Sequence, residues 1–334
     1  MAMRTFSLVP FSLILLALAC SKTEAPPEAK PEPAAEAKPG LAEPGTKAPS
    51  AEPELLLPVG PVVVQLIDAG KPPLQPVRWK LSKGSKDRVR MKSEMTLEAQ
   101  VGSENSPRTE TPTVQHLLSV ETMEVSPDGT AQMRLEVSNV TVLEGSSAPA
   151  QMLSQLKRSV MSTKGRRGTY EISASGAVRQ VKIDKSGVLP RNLQAIDNIE
   201  QLVYWTTVPV PSEPIGVGAK WKAKQVTEEG GLRIEQQASY ELTKIEGSSF
   251  EVKVLVEKTA KPQTVIPPGA TENESYELTG FDWKGTGQVQ ADFSRPVPVS
   301  SKIDAVANMN MKTPGPQGVD RELKVMMETS SLLE

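Results

Sequence analysis

This sequence predicts an α+β fold that is mostly β: long antiparallel strands in curved sheets, with two helices. Three observations predict it. Apolar and polar residues alternate over many long segments, as they do where a strand sends successive side chains to opposite faces. Clusters of turn residues separate those segments. Only two segments carry apolar residues at helical spacing instead.

The elements follow in chain order over 334 residues. Residues 1–19 hold one basic residue, Arg4, and an apolar run ending Leu13-Ile14-Leu15-Leu16-Ala17-Leu18-Ala19. The run is too short to cross a bilayer as a mature helix and has the order of a secretory signal peptide. Cys20, the only cysteine, comes directly after it. Leu16-Ala17-Leu18-Ala19-Cys20 resembles the lipobox of bacterial lipoproteins, although Ala17 stands where that family usually has Leu. The resemblance implies cleavage between Ala19 and Cys20, acylation of Cys20 with palmitate-type chains, and a membrane partner reached through that anchor. Ser21, in place of the Asp that retains many such proteins in the inner membrane, implies a bacterial outer-membrane address on either its periplasmic or its surface side. An ordinary secretion signal with an incidental cysteine is the competing reading.

Residues 20–53 are the lipidated Cys and a tether. Ser21 to Pro53 contains eight Pro, eight Ala, six Glu and four Lys. Such a segment cannot bury enough surface to offset its ordering entropy. At about 3.1 Å per residue in polyproline II it reaches up to roughly 100 Å from the lipid.

Residues 54–334 form the β-rich body. From Arg88 to Val101 one phase holds Val89, Met91, Met95, Leu97, Ala99 and Val101, while the other holds charged and polar residues. The pattern recurs in Leu232–Leu242, Phe250–Glu257, Val299–Met311 and Val319–Thr329. One wet and one apolar face mark antiparallel strands; parallel strands are buried on both faces. Ser126-Pro127-Asp128-Gly129 joins Val114–Val125 to Ala131–Leu143 as a hairpin, and Ser175-Gly176 and Glu246-Gly247-Ser248-Ser249 read likewise. A phase slip near Ser138-Asn139 predicts a β-bulge. Met152, Leu153, Leu156 and Val160 make one helical stripe over Ala150–Met161; Leu193, Ile196, Ile199 and Val203 make another over Pro190–Tyr204. The order of elements, ending each time in Lys-Ile-Asp (182–184 and 302–304), suggests two repeated half-domains, 77–189 and 215–334. The general self-similarity of β-rich chains is the alternative.

Trp79-Lys80-Leu81 with Lys83-Gly84, Ser126-Pro127-Asp128-Gly129-Thr130, and Ile215-Gly216-Val217-Gly218-Ala219-Lys220-Trp221 resemble landmarks of a bacterial domain-of-unknown-function family of predicted lipoproteins. The resemblance covers most of Val77 to Leu333 and brings no activity and no catalytic residue with it. The strand pattern is also similar to the open half-barrels of periplasmic lipoprotein carriers.

Composition narrows the function. Lys and Arg total 38 against 40 Asp and Glu, too even a balance for nucleic acid. One Cys and one His rule out a disulfide framework within the chain and Cys/His zinc sites. His116 shares the phase of Val114, Leu118 and Val120 and reads as a partly buried or edge-strand residue. Trp79, Trp205, Trp221 and Trp283 read as core rather than as a sugar cleft. Lys164-Gly165-Arg166-Arg167-Gly168 reads as a solvated loop, and Gly216-Val217-Gly218 as a turn. Catalytic residues, metal ligands and cofactors are expected to be none. The expected function is that of a non-enzymatic, membrane-anchored envelope lipoprotein binding a small apolar ligand or lipid in a cavity, with Met91, Met95, Met309 and Met311 as adaptable lining. The alternative is a structural or assembly protein that binds an envelope protein.

Overall fold

A computed structural model describes residues 60–334 except 144, 190–191, 194, 197–198, 200–202, 204–206, 267–274 and 314–320. The first half contributes β1 (Val63–Asp68), β2 (Lys86–Val101), β3 (Glu104–Asn105), β4 (Thr109–Glu110), β5 (Val114–Val125), β6 (Ala131–Val142), α1 (Ala150–Met161), β7 (Arg167–Ile172) and β8 (Val178–Ile183). The second contributes β9 (Lys220–Glu229), β10 (Leu232–Glu246), β11 (Ser249–Ala260), β12 (Gln263–Val265), β13 (Tyr276–Asp292), β14 (Ser300–Thr313) and β15 (Arg321–Leu333).

These strands form one sheet, in the order β1-β9-β10-β11-β13-β14-β15-β2-β5-β6-β7-β8, with β3 and β4 added beside β2 and β12 beside β13. The described pairings are antiparallel, as the alternation requires. The expectation of several curved sheets is corrected here: 77–189 and 215–334 supply adjoining stretches of a single sheet. The reason is the pairing of β15 with β2, whose ladder runs from Leu323 opposite Val101 to Leu333 opposite Met91. Either strand alone would leave an open edge of unpaired backbone groups.

Burial follows the sequence phases. Val89, Met91, Met95 and Leu97 are buried on β2 while Arg88 and Arg90 face water. Ser93 shares the apolar phase and satisfies its hydroxyl on the Val114 carbonyl at 3.1 Å. The expected bulge is present: Leu117 pairs with Asn139 and Leu118 with Val137, so Ser138 is passed over. The expected turn after β5 is held by Ser126 N–H on the Thr130 carbonyl at 2.8 Å and by Gly129 at φ 82°.

The helix expectation is met only in part. α1 forms over its expected span and buries Met152, Leu156 and Val160. The second expected helix, 190–204, falls largely outside the described residues. Those that are described within it include Leu193, Ala195, Ile196, Ile199 and Val203, which have helical backbone; the last four are buried.

Two connecting segments cross one end of the sheet. Trp79 N–H donates to the Ala174 carbonyl (2.9 Å) and Lys80 N–H to the Phe293 carbonyl (2.7 Å), so one segment ties two distant turns together. The Pro-rich stretch Val208–Pro214 lies beside it. Its prolines lack an N–H, but its carbonyls accept: Pro209 from Trp221 Nε1 (2.7 Å) and Pro211 from Arg78 (2.9 Å). Trp79 packs edge-on against Phe250 and Phe293 at 6.2 and 5.9 Å. Each such buried ring adds about 1.5–3 kcal/mol of burial free energy. Gly176, at φ 80°, closes this end; a side chain there would collide with the Trp79 indole and the Val208 carbonyl.

Candidate functional site

A concavity on the wet face of the second half holds about 710 Å³. Two cross-strand rows line it. The ladder pairings align Lys220 (β9), Glu241 (β10), Lys253 (β11), Gln288 (β13) and Lys302 (β14) as the first row. The second row is Lys222, Ser239, Leu255, Thr286 and Asp304 on the same strands. Adjacent strands sit about 4.8 Å apart, so the three lysines of the first row are spaced by roughly 10 Å. Leu255 gives the floor an apolar patch, and Ile67 of β1 stands at the rim.

Backbone chemistry shapes this surface. Gly287, between the two rows, lets β13 and β14 approach closely; a Cβ there would strike the Lys302 carbonyl and the Ile303 backbone. Charge is only partly balanced. Lys302 pairs with Asp304 at 3.1 Å, and Asp304 also accepts the Ser330 hydroxyl. Among the described residues Lys220, Lys222 and Lys253 form no ion pair within 4.0 Å. The groove therefore sets Lys220, Lys222, Lys253 and Lys302 against Glu241 and Asp304, a net positive charge above an apolar floor, which suits an anionic group joined to an apolar body.

The inner face of the same strands is different. Its described concavity holds only about 30 Å³, room for a water rather than a ligand. Gln225 lines it, with an amide nitrogen that has no hydrogen-bond partner. Further along this face Lys258, 3% exposed, meets both carboxylate oxygens of Glu229 at 2.7 Å and sits 5.3 Å from the Trp283 ring centre.

The residues singled out from sequence fall as follows. Ala19 and Cys20, the expected cleavage and acylation site, lie outside the described residues, as does Trp205. Trp79, Trp221 and Trp283 are core residues; Trp221 stacks on Tyr240 at 5.3 Å. Met91, Met95, Met309 and Met311 are buried in the core, and none lines either concavity described here. The expected apolar cavity is thus not what these methionines form: the large concavity is on the opposite, polar face. His116 is no edge residue, because β5 lies between β2 and β6. It is 6% exposed, and neither ring nitrogen has a partner. Burial lowers its pKa to about 4. In the basic loop, Arg166 donates to the Ser162 and Ser186 carbonyls and Arg167 pairs with Glu136 at 3.1 Å. Those contacts fasten the loop to its surroundings. Among the described residues no group of three or more His, Cys, Asp or Glu side chains is arranged to hold a metal ion.

Sequence reasoning missed the groove. Each lysine reads as one more member of a wet strand face, and only the ladder register brings residues 220 to 304 into two rows. No protein-family model matches the chain, and no curated protein matches it.

Proposed function

We propose that this chain is an exported, lipid-anchored protein of a bacterial envelope, and that its body binds a small anionic amphiphile in the groove across β9, β10, β11, β13 and β14. The reading is non-enzymatic. The signal-like segment before Cys20, the lipobox resemblance and the Pro-rich tether support the address. One observation carries the binding reading: the row Lys220, Glu241, Lys253, Gln288, Lys302 stands beside the apolar floor at Leu255, in a concavity of about 710 Å³. That volume falls within the range of about 300–1,000 Å³ of small-molecule sites. Lysine stems cover apolar chain while their ammonium groups meet the anionic head.

Native mass spectrometry tests this reading. The Cys20→Ser chain, purified from a bacterial periplasm, is expected to carry an extra mass that denaturation removes. Replacing Lys253 and Lys302 together by Glu is expected to remove it. A bare mass, together with no saturable uptake of a soluble anionic amphiphile such as dodecyl phosphate, sinks the binding reading.

A repeated body is part of the same proposal. β2, β5, β6, β7 and β8 follow one another in the sheet, and so do β9, β10, β11, β13 and β14. The isoleucine of each Lys-Ile-Asp, Ile183 and Ile303, lies on the fifth strand of its series, and both are buried. One observation favours the second reading, an assembly role with an envelope protein: β1 and β8 stand at the two ends of the strand order, each with one neighbour. A further strand could be added there. Crosslinking that recovers one stoichiometric envelope protein supports this second reading.

A further inference from the structure

The wet face of β1 and β9 carries a run of lysines beside exposed aliphatic residues. Lys220, Lys222 and Lys224 occupy every second position of β9, so they form a straight file about 6.6 Å apart. Opposite Lys222 stand Gln65 and Ser239; opposite Lys224 stand Val63 and Gln237. These four neighbours are uncharged; Lys220 faces Asp68 and Glu241, and among the described residues none of the three lysines forms an ion pair within 4.0 Å. Several cations elsewhere on the wet face are matched: Lys86 and Arg134 with Glu121, Arg108 with Glu98 and Glu328, Lys284 with Glu257.

Two aliphatic side chains flank the file on β1. Val63 is 60% exposed and Ile67 56%, the highest values among the large apolar side chains of the described residues. Exposure of that size on an edge strand costs solubility unless something covers it. The chain also arrives at this face from its N-terminal side: Gly60 N–H bonds to the Val226 carbonyl of β9 at 3.1 Å, just before β1 begins. The preceding residues are the tether and Cys20.

We infer that the wet face of β1 and β9 is a docking surface for an anionic lipid bilayer. Lys222 and Lys224, whose neighbours across both strands are uncharged, match a layer of anionic headgroups. Aliphatic residues beside it match the shallow apolar boundary beneath those headgroups. An acidic protein would match the lysines but not require the exposed Val63 and Ile67. The inference goes beyond the groove: Lys220, Lys222 and Ile67 line both, but Lys224 and Val63 do not line the groove, so variants at those two positions separate the readings.

The test uses the full chain carrying Cys20→Ser, so that no acyl anchor contributes. It is sedimented with vesicles of phosphatidylcholine alone and of phosphatidylcholine and phosphatidylglycerol in equal parts. Binding to the mixed vesicles only, weakening as salt is raised, is the expected result. The Val63→Ser/Lys224→Glu variant is expected to lose at least about fivefold of that partitioning, the worth of one surface lysine. The Lys253→Glu/Lys302→Glu groove variant is expected to lose less than the Val63→Ser/Lys224→Glu variant, since Lys253 and Lys302 stand roughly 10 and 20 Å from the file along their row. Equal binding to both vesicles, binding to neither, or a Val63→Ser/Lys224→Glu variant that binds like the parent overturns the inference. Loss of dodecyl phosphate uptake with vesicle binding intact would count against the groove alone.

Discussion

His116 and Lys258 both project from interior strands into the core, one in each half of the sheet, and the protein treats them in opposite ways. His116 stands opposite Met91 on β2 and Val140 on β6. With no hydrogen-bond partner on either nitrogen, it lowers its cost by shedding its proton, and its pKa falls to about 4. Lys258 instead has Glu229 at 2.7 Å, itself braced by the Thr227 hydroxyl at 3.1 Å, with the Trp283 ring nearby. Burial therefore does not decide how an ionisable side chain behaves here. The partner supplied by the neighbouring strands does.

The largest effect expected from breaking this contrast is at Glu229. Glu229→Gln removes the carboxylate and leaves an ammonium that is 3% exposed, which costs about 3–5 kcal/mol. Urea unfolding at neutral pH measures it. Adding Lys258→Met to Glu229→Gln is expected to recover most of the loss, because it removes the buried ammonium that the first substitution leaves without its carboxylate. A loss below about 1 kcal/mol in the single variant would mean that Lys258 is solvated by other groups.

His116 gives the next effect. Its pKa is 6.5 unfolded and about 4 folded, so between those values the unfolded chain binds the extra proton. Stability is fully present above pH 6.5 and is lost as pH falls towards about 4. The total is about 3 kcal/mol, from 1.36 kcal/mol per unit. His116→Leu is expected to remove that component, so parent and variant diverge steadily as acid is added. Parallel pH profiles would show that His116 finds a partner when protonated. The smallest effect sharpens the contrast from outside. Lys284 pairs with Glu257 at 3.4 Å with side chains 62% and 42% exposed. Lys284→Ala is expected to change stability by less than about 0.5 kcal/mol, and that little should vanish in salt.

Much of the sheet was legible because its wet and apolar faces write a period of two into the chain. The bulge at Ser138 was legible for the same reason, as a change of phase. β13 was not, although it spans 17 residues. Its register shifts between Leu278 and Gly280, passing over Thr279, and its inner face carries Gly285 and Gly287 where large residues would have marked the phase. β1 was too short to read. Lys258 was readable and missed: it continues the phase of Val252, Val254 and Val256, all buried. The groove could not be read from any segment, because it exists only in the registers of β9, β10, β11, β13 and β14.

The seam between β15 and β2 has a consequence for the order of events during synthesis. Lys92 meets Glu334 across 242 residues of sequence. A chain delivered N-terminus first presents β2 early and its partner last. Throughout that interval one long ladder edge of β2 has no native mate, and closing so large a loop is slow. The seam is thus a timing problem as well as a joint: the sheet becomes whole only after nearly every other strand has been delivered, and until then β2 is the strand most in need of an escort.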